Sequence, residues 1–229
     1  MMTKLNTLYR VVCCCVLVIL CSVVHAFSYE HYSDFQTWYG ATVKLDLPDK
    51  WMFAAQYRMR MIDNTGYYYG SYLFADVSRE FSKHFEANVN YRLAMVTPGV
   101  YHRYALGLEG KTKLFDIETS LRPMIQYQVQ NFAGNDEGVT DTDTYLRLRG
   151  SVKYDLTKHL DIYAYAEPFF KPGNQLHLDW WQNAVGVKYE FAKNKKINLY
   201  YLWQPDNSHT RYFQTNHILA AEFEWTIKL

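Results

Sequence analysis

The chain has 229 residues, with 24 Lys and Arg against 23 Asp and Glu, and it is rich in aromatics: 21 Tyr, 13 Phe and 6 Trp. That length allows one domain or two small ones, and the balanced charge argues against nucleic acid as a partner. Beyond the first 26 residues no stretch approaches the ~18 consecutive apolar residues of a membrane-spanning helix, so transmembrane helices are excluded there.

Residues 1–26 differ in kind from the rest. Lys4 and Arg10 lie in a basic start, Val11 to Val24 is almost wholly apolar, and Ala26 supplies a small residue before a polar stretch. This is the pattern of a cleaved export signal, leaving residues 27–229 as the mature protein. The apolar run, about 14 residues, is short of the ~20 that span a bilayer, which argues against a retained anchor. Cys21 suggests a lipoprotein site, but Leu20 is bulky where a small residue is required. Cys13, Cys14, Cys15 and Cys21 all lie in this segment, so the mature chain is expected to carry no thiol, disulfide or cysteine metal site. Removing Lys4 and Arg10 leaves 22 basic residues against 23 acidic, a net charge of −1.

From residue 35 onward the chain reads as eleven runs that alternate with period two, the signature of strands with one apolar and one polar face. Residues 35–47 place Tyr39, Ala41, Val43 and Leu45 on one face, and a Pro-Asp-Lys turn follows. Residues 51–62 set Trp51, Phe53, Ala55, Tyr57 and Met59 against Gln56, Arg58 and Arg60. Asp63-Asn64-Thr65-Gly66 is a turn signal. Residues 67–78 set Leu73, Ala75 and Val77 against Phe74 and Asp76, and residues 83–95 set Phe85, Ala87, Val89, Tyr91 and Leu93 against Glu86, Asn88, Asn90 and Arg92. In residues 101–114 Tyr104, Leu106 and Leu108 oppose Arg103, Glu109 and Lys111; in 117–129 Leu121, Ile125 and Tyr127 oppose Glu118, Arg122 and Gln126.

Residues 145–169 show the pattern best. Leu146, Leu148, Gly150 and Val152 face away from Tyr145, Arg147, Arg149 and Lys153; after the DLTKH turn, Leu160, Ile162, Ala164 and Ala166 face away from Asp161, Tyr163, Tyr165 and Glu167. A turn this short makes an antiparallel hairpin. Three further runs, at 181–191, 197–203 and 219–229, complete the set, the last setting Leu219, Ala221, Phe223, Trp225 and Ile227 against Glu222, Glu224 and Lys228.

Runs of about 10–13 residues suit tilted strands crossing a bilayer, where ~9–11 are needed; soluble sheets usually stop nearer 5–6. Short connections alternate with longer polar ones at 131–144, 171–179 and 204–212, as in outer-membrane barrels. A soluble lipocalin-like barrel alternates too, but this many strands with an apolar interior would enclose a void too wide for side chains to fill. A two-sheet sandwich is the remaining soluble alternative. The expected fold is therefore all-β, a single antiparallel transmembrane barrel. Because bacterial single-chain barrels have even strand numbers, twelve strands are expected, with a weak first one in residues 27–34, and ten as the alternative.

The chain also resembles a family of bacterial outer-membrane proteins known only as domain-of-unknown-function family 2490. The likeness lies in TWYGATVKLDLPDKW (37–51), QYRMR (56–60), FADVSREFSKHFEANVNYR (74–92) and YLRLRGSVKYDLTKHL (145–160). It implies an outer-membrane barrel in a Gram-negative cell and brings no catalytic residues. The ending Phe223-Trp225-Ile227-Leu229 resembles the signal read by the barrel assembly machinery, with Leu in place of the usual Phe. Outer-membrane lipid and lipopolysaccharide are the other expected partners, and the oligomeric state is left open.

The inward Arg set, Arg58, Arg60, Arg92, Arg103, Arg122, Arg147 and Arg149, is the most informative constellation. The inward acids include Asp76, Glu86, Glu109, Glu118, Asp161, Glu167, Glu190, Glu222 and Glu224. One reading is an ion-pair network that plugs the lumen. The other is an Arg wall facing an acidic wall, which would set selectivity for charged solutes in a narrow channel. Glu118 and Glu167 join the seven Arg as lumen candidates. Enzymatic alternatives rest on weak pairings: His31-Tyr32-Ser33, Ser208-His209 beside Asp206, and the dyads His159–Asp161 and His177–Asp179. The acids Asp136, Glu137, Asp141 and Asp143 lack the spacing of a calcium loop. Trp180, Trp181, Tyr200 and Tyr201 read as girdle aromatics. No pattern points to a cofactor or a metal, and no catalytic residue is assigned.

Overall fold

A computed structural model describes residues 31–97, 99–131, 142–206 and 213–229. The expected export signal, residues 1–26, lies outside the described residues. Among the described residues eleven strands follow one another: β1 His31–Leu47, β2 Trp51–Ile62, β3 Tyr67–Ser82, β4 Phe85–Val96, β5 Gly99–Leu114, β6 Ile117–Asn131, β7 Thr142–Asp155, β8 Leu160–Lys171, β9 His177–Ala192, β10 Lys195–Asp206 and β11 Phe213–Lys228. Each strand pairs antiparallel with its sequence neighbours, and β1 closes the barrel on β11. Among the described residues no helix is long and apolar enough to cross a membrane.

The strand count corrects the expectation of twelve. Of the expected first strand, residues 27–30 lie outside the described residues, and 31–34 are the start of β1 rather than a separate strand. An odd number leaves the first and last strands running the same way, so closure is parallel, in register from His31 opposite Phe213 to Asp46 opposite Lys228. The eleven alternating runs were the better guide than the even-number rule. A cysteine pair replacing Ala41 and Phe223, which oppose each other in this seam, is expected to form a disulfide on oxidation and shift gel mobility. A twelfth strand between them would hold the two Cα atoms about 9–10 Å apart, too far to bridge.

Odd-numbered strands run from the end carrying the long connections to the end carrying the tight turns. The tight turns have positive φ at Asp49, Phe115 and Asn194, the backbone twist that short hairpin connections favour. Alternation is realised as expected. Leu106, Leu108, Leu121 and Ile125 are more than half exposed on the outer surface, whereas Ala105, Gln126, Arg147 and Glu167 are buried inside. Val89, Leu106, Ile125 and Leu146 oppose one another in turn across β4 to β7, a continuous apolar row around the wall. Pro123 and Pro168 sit mid-strand on the outer face, and the β5–β6 and β7–β8 ladders are interrupted beside them, because proline has no N–H to donate.

The interior is not uniformly polar. Towards the long-loop end Trp38, Tyr200, Leu202, Ile218 and Ala220 form one buried cluster, and Tyr72, Phe74 and Ala94 a second. Gly186 faces inward between Tyr163 and Tyr200; a Cβ there would come within 2.7 Å of both side chains. Its bareness lets the two tyrosines fold across the lumen. Trp180 and Tyr200 therefore depart from the girdle expectation: Trp180 stacks on Phe169 at 3.6 Å inside the barrel, and Tyr200 is buried.

Candidate functional site: an arginine wall in the lumen

A cavity of about 780 Å³ occupies the lumen. At the tight-turn end its rim is a ring of half-exposed ion pairs. Lys44 and Lys188 both meet Glu224 (2.8 and 3.1 Å), Lys111 meets Glu86 (2.6 Å), Lys153 meets Glu118 (3.3 Å) and Lys196 meets Asp161 (3.7 Å). Such wet pairs contribute little stability each. They keep the mouth hydrated and close to neutral.

Deeper in, the expected Arg residues gather on one side. Arg58, Arg60, Arg92, Arg103, Arg122, Arg147 and Arg149 all line the cavity, carried by β2, β4, β5, β6 and β7. The far side is built from Tyr163, Tyr165, Gln182, Asn198 and Tyr200. The acidic wall expected opposite the Arg residues is not found at this depth, where the far side is neutral; ion pairs are found at the two edges of the Arg wall. At one edge Arg58 pairs with Glu222 (2.6 Å), which also accepts from the Tyr200 hydroxyl (2.9 Å). At the other edge Glu167, fully buried, receives Arg147 on one oxygen (3.1 and 2.8 Å) and Arg149 on the other (2.9 and 2.6 Å). These edges are the plugging network.

Between the edges the wall is positive. Arg60, Arg92, Arg103 and Arg122 make no ion pair with a carboxylate of the described residues. Arg92 donates to Gln128 (2.7 Å) and Arg103 to Asn90 (3.0 Å), both neutral amides. Asn90 in turn donates to Asp76. The Arg60 guanidinium lies between the Trp38 ring (3.8 Å) and the Tyr72 ring (4.0 Å). The Nε atoms of all four are buried without a hydrogen-bond partner. Register makes the crowding sharper: Arg92 stands directly opposite Arg103, and Arg122 directly opposite Arg149. Like charges opposite each other on one sheet face are destabilising. Glu167 offsets the second pair; no carboxylate offsets the first.

Other candidates do not assemble. His159 is exposed in a tight turn. Asp179 is buried and accepts from the Tyr145 hydroxyl (2.9 Å). Ser208, His209, Asp136, Glu137 and Asp141 lie outside the described residues, as do the side chains of His31 and Asp206. Asp143 pairs with Lys171 (2.5 Å). Among the described residues no group of three His, Cys, Asp or Glu is placed to hold a metal.

Residues 35–216 match the model of a family described as protein of unknown function (DUF2490). No curated protein matches the chain. Among solved structures it is similar to the NanC porin in a rhombohedral crystal form, with 11% identity and a TM-score of 0.49 over 74% of this chain and 86% of that one.

Proposed function

We propose that this chain, which belongs to the DUF2490 family of proteins of unknown function, is a Gram-negative outer-membrane barrel that passes small anionic solutes through a narrow lumen. The membrane placement is supported by an outer surface of apolar side chains on strands of 12–17 residues, enough to cross a bilayer at a tilt. The solute preference is carried by the Arg92–Arg103 pair, two like charges held face to face with no carboxylate to balance them. A lumenal face that stores positive charge at a cost in stability is suited to attract and orient anions. The path is narrow because Phe169, Leu202 and Ile218 are fully buried towards the long-loop end.

The test is conductance of the refolded protein in a planar bilayer with a salt gradient across it. Small discrete openings are expected, with a reversal potential showing anion preference. Arg92→Ala with Arg103→Ala is expected to move that potential towards zero or past it. A folded, heat-modifiable barrel that stays silent would overturn the solute path and leave a non-transporting surface barrel as the reading.

A further inference from the structure

We infer that Arg92 and Arg103, opposite each other on β4 and β5, form a discrete binding site for one compact dianionic oxyanion. This rests on the anion reading of the lumen and specifies its ligand. Both side chains line the lumenal cavity, and Arg60 on β2 and Arg122 on β6 line it on either side of them.

Two observations favour a built site over a general positive surface. The first is selective neutralisation. Arg58 has Glu222, and Arg147 and Arg149 share Glu167; Arg92 and Arg103 have no carboxylate partner among the described residues. The second is how they are anchored. Gln128 and Asn90 hold Arg92 and Arg103 through neutral acceptors, and Trp38 and Tyr72 hold the neighbouring Arg60 through ring faces. Such contacts orient a guanidinium without cancelling its charge.

Charge sets the valence. Arg92 and Arg103 stand directly opposite each other with no carboxylate on either among the described residues. Two facing guanidiniums leave two positive charges, which a dianion balances and a monovalent ion does not. Guanidinium forks bind carboxylate and tetrahedral oxyanions with paired, parallel hydrogen bonds, which a halide cannot accept. The ligand is therefore a doubly charged oxyanion small enough to bridge the two facing forks, reached from the ion-paired mouth.

Titration calorimetry on the full chain, refolded in uncharged detergent, tests this with sulfate and succinate as probes and chloride and acetate as comparators at equal ionic strength. One dianion per barrel is expected, bound at least tenfold more tightly than either comparator. Arg92→Gln with Arg103→Gln is expected to weaken binding at least tenfold, while Arg79→Gln, an outer-face residue beside Trp51, leaves it unchanged. A second measurement guards against misfolding: without anion the double Gln variant should unfold at a higher temperature than the parent, and sulfate should raise the parent's midpoint and not the variant's. Equal binding of chloride and sulfate, or full binding by the double variant, overturns the site. A barrel that conducts anions yet binds no dianion keeps the channel and loses this site. One that binds sulfate and stays silent keeps this site and loses the channel.

Discussion

Replacing Glu167 with alanine is expected to destabilise the barrel by about 3–5 kcal/mol, the usual penalty for removing one partner of a buried ion pair. Glu167 has no exposed surface and accepts four hydrogen bonds, two from Arg147 and two from Arg149. Without it the buried Arg147 and the half-buried Arg149 are left unpaired on adjacent levels of one strand. Arg147 retains only the Gln126 oxygen (2.9 Å) and the Phe169 ring (4.5 Å). The position adds to the effect. Glu167 precedes Pro168, and the β7–β8 ladder is interrupted there, resuming in the same register at Gly150 opposite Ala166. Its side chain therefore ties together two strands whose backbone ladder is interrupted. Urea unfolding in lipid vesicles checks this, with Glu167→Gln expected to fall between parent and Glu167→Ala. A triple change of Arg147, Arg149 and Glu167 to Met should recover most of the loss, since no charge is then left unpaired. If Glu167→Ala unfolds at the parent's urea concentration, the network does not support the wall.

Much of this was legible in the sequence, and the limits have physical causes. Period-two alternation identifies which residues share a face, so the seven Arg and Glu167 were placed inside without structural knowledge. The even-number rule for bacterial barrels predicts twelve strands, whereas the alternating runs number eleven, as the strands of the described residues do. The inward place of Trp180 and Tyr200 is not legible in composition, because tryptophan and tyrosine suit a bilayer interface as well as a packed lumen. The charge balance was legible only in part. Arg58 meets Glu222 across 164 positions of sequence, a contact created by barrel closure, which no local pattern reveals. The Arg92–Arg103 opposition was recoverable: Thr97 and Pro98 are the two residues between Val96 and Gly99, which pair directly, and counting outward from that turn sets Arg92 against Arg103. Arg122 opposite Arg149 was not, since the connection between β6 and β7 is too long to fix register.

Leu106→Arg is expected to oppose folding into a bilayer by about 2–4 kcal/mol, the cost of a cation on the lipid face near the membrane midplane. Leu106 is 57% exposed and sits mid-strand in the apolar row between Val89 and Ile125. On a soluble barrel an exposed leucine exchanged for arginine would change stability by no more than about 0.5 kcal/mol, so the two solvents give different answers to one substitution. The comparison is Thr119→Arg, on the same outer surface beside the tight turn that joins β5 to β6; near the interface the cost drops to about 0–1 kcal/mol. Reversible unfolding in vesicles measures both. A steep penalty at Leu106 with little at Thr119 locates the hydrocarbon layer at mid-strand. Equal, small effects at both positions would mean that the apolar row faces something other than lipid, and the membrane placement would fail with the channel that depends on it.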